Sequence, residues 1–149
     1  MPEARALQRA RKDETEGKAP STQAGEFVRE EFHHIREGKH GARSAKQAIA
    51  IGLSKARRAG VKLPPPRKGK MSEAVRRHAM RDYAGGRRHS HGRPSRARSQ
   101  GVTLALRREG HEAASRRAIS RQARRSARNR TAAERSATAR KAASTRLAA

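Results

Sequence analysis

Cysteine and tryptophan are absent from the 149 residues, and the aromatics come down to one Tyr and two Phe. Without cysteine there can be no disulfide and no thiolate metal site, and nothing points to an oxidising compartment. Large apolar side chains are scarce as well. Leu, Ile, Val and Phe occur 16 times, about a ninth of the chain. A share below roughly a fifth, combined with high net charge, is the composition of chains that cannot offset ordering entropy by burial. No apolar run approaches the roughly 18 residues of a spanning helix, so membrane insertion is not expected. The start, Met1 to Leu7, lacks the apolar core of a secretory signal. Its arginines resemble those of a transit peptide, but Glu3, Asp13, Glu14 and Glu16 argue against one. A cytoplasmic protein is expected.

Basic charge dominates what is present. Thirty-eight Lys and Arg face 13 Asp and Glu, for a net charge of +25. Residues 1–84 carry 20 basic and 10 acidic residues, whereas residues 85–149 carry 18 and 3. Ten of the 16 large apolar residues lie between Phe27 and Val75, so a folded module belongs there. The boundaries read as a disordered leader (1–23), a small helical module (24–84), a basic flexible linker (85–110) and an Ala/Arg/Ser-rich polycationic tail (111–149). The fold class expected is mostly α: a helical hairpin or three-helix unit with long disordered basic N- and C-terminal segments.

Within the module, Val28, Phe32 and Ile35 make one helical stripe, ended by Gly38 and Gly41. Ser44 with Gln47 three residues on is a capping-box pattern. From there Ala45, Ala48, Ile49, Gly52, Leu53, Ala56 and Ala59 share a broad face. Gly60 suits the left-handed position after a helix, and Pro64-Pro65-Pro66 blocks continuation. A face of Ala and Gly suits close approach of a second helix, and the Val28 stripe is its obvious mate. A third helix is expected from Ser72 to Tyr83, with Val75, Ala79 and Tyr83 aligned and Gly85 stopping it. Residues 85–100 show no periodicity.

The tail carries the strongest functional signal. Arg116, Arg117, Arg121, Arg124, Arg125, Arg128 and Arg130 recur every three to four residues. Such spacing spreads guanidinium groups around a helix that forms in part alone and further when a polyanion neutralises it. Arginine forks onto phosphate oxygens, and counterion release dominates non-specific nucleic-acid binding. Arg57, Arg58, Arg67 and Lys68 form a secondary patch. The second helix could act as a recognition helix through Lys46, Gln47, Lys55, Arg57 and Arg58, but a solvated polar face is the simpler account. With Phe27, Phe32 and Tyr83 alone there is no platform for stacking bases, so double-stranded backbone contact is favoured. The basic helices lack the large apolar face that lipid surfaces need.

Other chemistry is thinly supported. His33, His34 and His40 with Glu30, Glu31 and Glu37 could gather nitrogen and oxygen ligands, and His89 with His91 could chelate weakly. Neither matches a catalytic spacing such as His-Glu-x-x-His, so no metal and no cofactor is expected. No acid, base and nucleophile converge, and no phosphate-loop pattern occurs. An enzyme is not expected.

The run Ser44-Ala-Lys-Gln-Ala-Ile-Ala-Ile-Gly-Leu-Ser-Lys-Ala-Arg-Arg-Ala-Gly60 resembles one found in small basic bacterial proteins of unknown function. They share a Lys-Gln-Ala-Ile-Ala-Ile-x-Leu-Ser-x-Ala-Arg pattern after a short helix and a Gly/Lys/His-rich loop, here Glu37 to Gly41. The resemblance covers about residues 26–66. It implies a bacterial, cytosolic origin and a small helical module, and brings no activity or site. The tail is similar in composition to tails of linker-histone-like nucleoid proteins, but Lys141 is its only lysine where those are usually Lys-rich.

The function expected is non-specific binding of nucleic acid, DNA ahead of RNA, by phosphate contacts from the Arg-rich tail, in the nucleoid. Two alternatives stand beside it. One is an RNA- or ribosome-associated protein using the same charges. The other is a protein-interaction adaptor whose hairpin docks a partner or a second copy.

Overall fold

The structure, a computed structural model, describes residues 4–88 and 95–147. Among these residues it is all-helical. Seven α-helices run in order: α1 (Ala4–Thr15), α2 (Pro20–Arg36), α3 (Ala45–Arg58), α4 (Glu73–Arg88), α5 (Arg96–Arg108), α6 (Arg116–Arg128) and α7 (Ala132–Leu147). A single 3-10 turn, Glu112–Ala114, lies between α5 and α6. The chain divides into two compact units, Met1–Ala114 and Ser115–Ala149.

This corrects the expected fold class. The unit is larger than a hairpin or three helices, and the segments expected to be long and disordered hold α1, α5, α6 and α7. The reason lies in alanine. Among the described residues, ten of the fourteen buried hydrophobic residues are Ala, the others being Phe27, Phe32, Ile35 and Val61. A core of small side chains gains its contacts by bringing helix backbones close together, so counting large aliphatics understates it.

α1 shows this directly. Ala6, Ala10 and Asp13, at i, i+4 and i+7, are its buried residues. Ala6 and Ala10 join Ala24, Phe27, Ala56 and Val61 in one cluster, flanked by Leu7, Leu53, Ala59 and Leu63. α1 packs on α2, α2 on α3, and α3 on α4. The chain breaks at Gly17 (φ +72°), and Pro20 begins α2 at once, its missing N–H costing nothing in the first turn. Lys18 Nζ reaches Asp13 Oδ1 at 2.8 Å and Glu16 at 2.7 Å, and Arg9 pairs with Glu26 across the same corner. Bonding to Asp13 first, then Glu16, holds the Lys18 ammonium above its ordinary range.

Local signals elsewhere operate as read. Ser44 Oγ accepts from the Gln47 N–H at 3.2 Å, while Gln47 Oε1 accepts from the Arg43 N–H at 2.7 Å. α3 closes on Gly60 (φ +95°): the Gly60 N–H donates to Arg57 O and the Val61 N–H to Ala56 O, the double bond of a left-handed cap. α2 ends in the same way on Gly38 (φ +74°), with the Lys39 N–H on His34 O.

Two details differ. Phe27 rather than Val28 faces the core of α2; Val28 presents its backbone to Gly52, where a Cβ would lie 2.6 Å from Val28 Cα. α4 does not stop at Gly85 but continues to Arg88. Gly86 serves as a contact, since a Cβ there would lie 1.9 Å from Arg57 O. Ala79, Asp82 and Gly86 are the buried residues of α4, and Asp82 accepts from Ser54 Oγ at 2.7 Å.

The stretch expected to be a flexible linker is largely helical, in the end of α4 and in α5, though residues 89–94 lie outside the described residues. Ser95 Oγ caps α5 through the Arg98 N–H. α5 buries no residue, and its end is tied back by main-chain bonds: the Gly41 N–H donates to Leu106 O at 2.9 Å and the Ala42 N–H to Gly110 O at 3.0 Å. The 3-10 turn packs on α2 and α3 with Ala113 and Ala114 buried, and Arg36 Nε donates to Ala114 O at 3.1 Å.

In the second unit, Ser115 Oγ caps α6 through the Ala118 N–H at 3.1 Å. Thr131 and Glu134 cap α7 reciprocally: the Glu134 N–H donates to Thr131 Oγ1 at 3.2 Å and the Thr131 N–H to Glu134 Oε2 at 2.8 Å. These caps, with Ala and Arg as strong helix formers, outweigh repulsion between like charges a turn apart, worth a few tenths of a kcal/mol per pair.

Candidate nucleic-acid interface

The tail arginines meet solvent. Arg116, Arg117, Arg121, Arg124, Arg125, Arg128 and Arg130 are all exposed. Their arrangement on α6 is more ordered than the expected scatter around a helix. Arg117, Arg121, Arg124 and Arg128 stand at i, i+4, i+7 and i+11. At about 100° per residue this gathers them on a face roughly 60° wide. Arg125 lies about 40° beyond one edge of that face, and Arg116 about 80° beyond the other. Half-buried Ala118, Ile119, Gln122 and Ser126 occupy the other side, with Gln122 Nε2 donating to Ser126 Oγ at 3.2 Å. From Arg117 to Arg128 the stripe extends about 16 Å at 1.5 Å per residue. Arg128 in the last turn also opposes the partial negative charge of the helix C-terminus. Arg130 lies beyond the C-cap Asn129, and its carbonyl accepts from Arg135 Nη1 at 2.6 Å.

The expected secondary patch does not form as one surface. Arg57 is 7% exposed. Its Nε donates to Leu63 O at 3.3 Å and its Nη2 to Pro64 O at 3.4 Å, so it braces the turn after α3. Burial pushes its guanidinium below the ordinary range, with Asp82 pulling the other way. Arg58 stands 4.0 Å from Asp82 Oδ1, half-exposed. Arg67 and Lys68 are exposed on the turn before α4. Of the recognition-helix residues, Gln47 is engaged by Arg43 N–H, and Lys55 Nζ lies 2.5 Å from Glu31 Oε2.

Lys55 leads to a second cluster, drawn from the His and Glu residues weighed as ligands from the sequence. Glu31 is 1% exposed on α2, His34 is buried one turn later, and His40 follows the Gly38 reversal. One ligand atom from each of Glu31, His34 and His40 lies within 4.8 Å of the others. Of the other residues weighed there, His33 pairs with Glu37 at 2.9 Å in solvent. His89 and His91 lie outside the described residues.

No helix among the described residues is long and apolar enough to cross a membrane. No curated protein and no solved structure matches the chain. One family model does match, over residues 19–68, about a third of the chain and the span that holds α2 and α3: a family of unknown function (DUF6496).

Proposed function

We propose that the chain binds nucleic acid, duplex DNA ahead of RNA, through phosphate contacts made by the arginine face of α6, and that it acts in the nucleoid. The observation that carries this reading is the alignment of exposed Arg117, Arg121, Arg124 and Arg128 on one helix face. A stripe of about 16 Å runs past about five phosphates at 3.4 Å per step of a strand. It also bridges a major groove about 12 Å wide, from one strand's phosphates to the other's. Each guanidinium offers a forked pair of donors to phosphate oxygens. The face carries no aromatic group to stack unpaired bases and no Asn or Gln to read adenine, so affinity is electrostatic and indifferent to sequence. Arg125 adds charge beside the stripe.

Binding of the full chain to labelled random DNA and matched RNA duplexes across a salt series tests this. Four phosphates neutralised give a slope of log affinity on log salt near −3.6, or roughly a 150-fold loss between 50 and 200 mM salt. Replacing Arg121, Arg124 or Arg128 by Ala flattens the slope by about 0.9 each, on every sequence alike. Arg125→Ala has a smaller effect. A slope unchanged by the four stripe substitutions together, or strong preference for one DNA sequence, overturns the reading.

A further inference from the structure

Glu31 is the most deeply enclosed ionisable side chain described, and its two oxygens have different neighbours. Oε2 takes the Lys55 ammonium at 2.5 Å. Oε1 faces His40 Nε2 at 3.1 Å, yet no hydrogen bond of acceptable geometry reaches it. The other nitrogen of His40, Nδ1, lies 3.0 Å from Gly41 O. A ring nitrogen can bond a carbonyl oxygen only as a donor, so Nδ1 carries the proton. In the neutral ring Nε2 then turns a lone pair toward a carboxylate oxygen. Two acceptors 3.1 Å apart in a nearly dry setting are reconciled by a proton on Nε2 or by a metal ion between or beside them. His34, one helical turn from Glu31 and set edge-on to the His40 ring at 6.1 Å between centroids, brings the third ligand.

We propose that Glu31, His34 and His40 form a binding site for one divalent transition-metal ion of the zinc type. Two imidazoles and one carboxylate suit zinc, cobalt and nickel, whereas magnesium and calcium require more oxygen ligands. The bond from His40 Nδ1–H to a backbone carbonyl is the outer contact that fixes the tautomer of ligating histidines. Three protein ligands leave a fourth position for water or an exogenous ligand. The Glu31–His40 edge is already near the separation of two ligands on one zinc ion, and the remaining edges, within 4.8 Å, close by up to about 1.5 Å, given metal–ligand bonds of about 2.0–2.1 Å. Lys55 leaves Oε1 as the ligating oxygen. Its positive charge also opposes the ion, which places the site among exchangeable ones. The sequence offered these residues among six candidates without selecting them, because they stand at i, i+3 and i+9, with the last beyond the end of the helix. Only the left-handed turn at Gly38 returns His40 to the others.

The test uses full-length protein freed of metal by a chelator and titrated with Co²⁺, read by visible d–d absorption, with Zn²⁺ as competitor and far-UV circular dichroism to check folding. The expected result is one equivalent bound, displaced by Zn²⁺, and weakened at least tenfold in His40→Gln and in His34→Gln. His40→Gln is the decisive variant, because its ring is partly exposed and its loss leaves the Glu31–Lys55 pair intact. His33→Gln and His78→Gln bind as the parent does. Absence of the absorption band, binding undiminished in folded His40→Gln, or binding lost on replacing His89 and His91 overturns the proposal.

Discussion

Replacing Gly52 by Ala tests the close approach on which the α2–α3 layer depends. The added Cβ would lie 2.6 Å from Val28 Cα and 2.9 Å from both Val28 N and Cγ2. Non-bonded carbons settle at about 3.5–4.0 Å, so the two helices must part by roughly 1 Å. That parting thins the contacts of Ala45, Ala48 and Ala56, small side chains that cannot reach across a wider gap. Overpacking of this kind costs about 1–3 kcal/mol. Against it stands the gain from removing a helical glycine, about 0.5–1 kcal/mol. The net loss of about 1–2 kcal/mol lowers the melting temperature by about 4–8 °C for a unit of this size. Gly25, exposed on α2 with nothing within 4 Å of its Cβ position, is the internal control. Gly25→Ala receives the propensity gain alone and raises the midpoint by about 2–4 °C. Calorimetric melts of the full chain read both. A Gly52→Ala variant that melts at or above the parent would refute the close packing, whatever Gly25→Ala does.

Three further outcomes follow from the same geometry. Arg57→Met removes the brace on Leu63 O and Pro64 O and lowers the melting temperature, yet leaves the salt slope of DNA binding unchanged. A flattened slope would return Arg57 to the interface. Asp82→Ala strips Ser54 Oγ and His78 of their shared acceptor and destabilises the α3–α4 contact by about 1–3 kcal/mol; denaturant midpoints check it, and an unchanged midpoint refutes the contact. The carboxyl of Glu37 is held below its usual range first by the bond from Lys39, and that of Glu16 first by the bond from Lys18. With the folded value depressed, the associated stability is present above the ordinary carboxylate range and fades as pH falls through the folded values. NMR titration should find both below the ordinary carboxylate value, and Lys39→Ala should raise Glu37 toward it.

Features governed by neighbouring residues were legible in the sequence. The Ser44 cap, the Gly60 turn and the Ala/Gly face of α3 each depend on side chains a few positions apart. The α1 contribution was not, because Ala6 and Ala10 read as helix formers and become core only against Ala24 and Phe27 of another helix. Gly85-Gly86 read as a stop because glycine ends helices more often than it seats one helix against another. On the tail, net charge obscured the caps at Ser115 and Thr131, although Thr131-x-x-Glu134 spells a capping box. The arginine face was implicit in the spacing of Arg117, Arg121, Arg124 and Arg128, and emerges only when α6 is a continuous helix. The Glu31–His34–His40 cluster required the reversal at Gly38, which no period in the sequence encodes.

The tie between the α2–α3 loop and the end of α5 has a kinetic consequence. Contacts among α1, α2, α3 and α4 join consecutive helices, whereas the bond from the Gly41 N–H to Leu106 O closes a loop of 65 positions. Closing it costs about 1.7 kcal/mol more entropy than closing a ten-residue loop. α5 buries no residue, and only the small Ala113 and Ala114 just beyond it offset that cost, so the clasp forms after the helices beneath it and opens before they do. Its opening is a sub-global event, visible as amide exchange faster at Gly41 and Ala42 than in the helices on either side. These two amides are therefore built-in reporters: their protection measures how much of the time residues 106–110 stay docked while the rest of the unit remains folded.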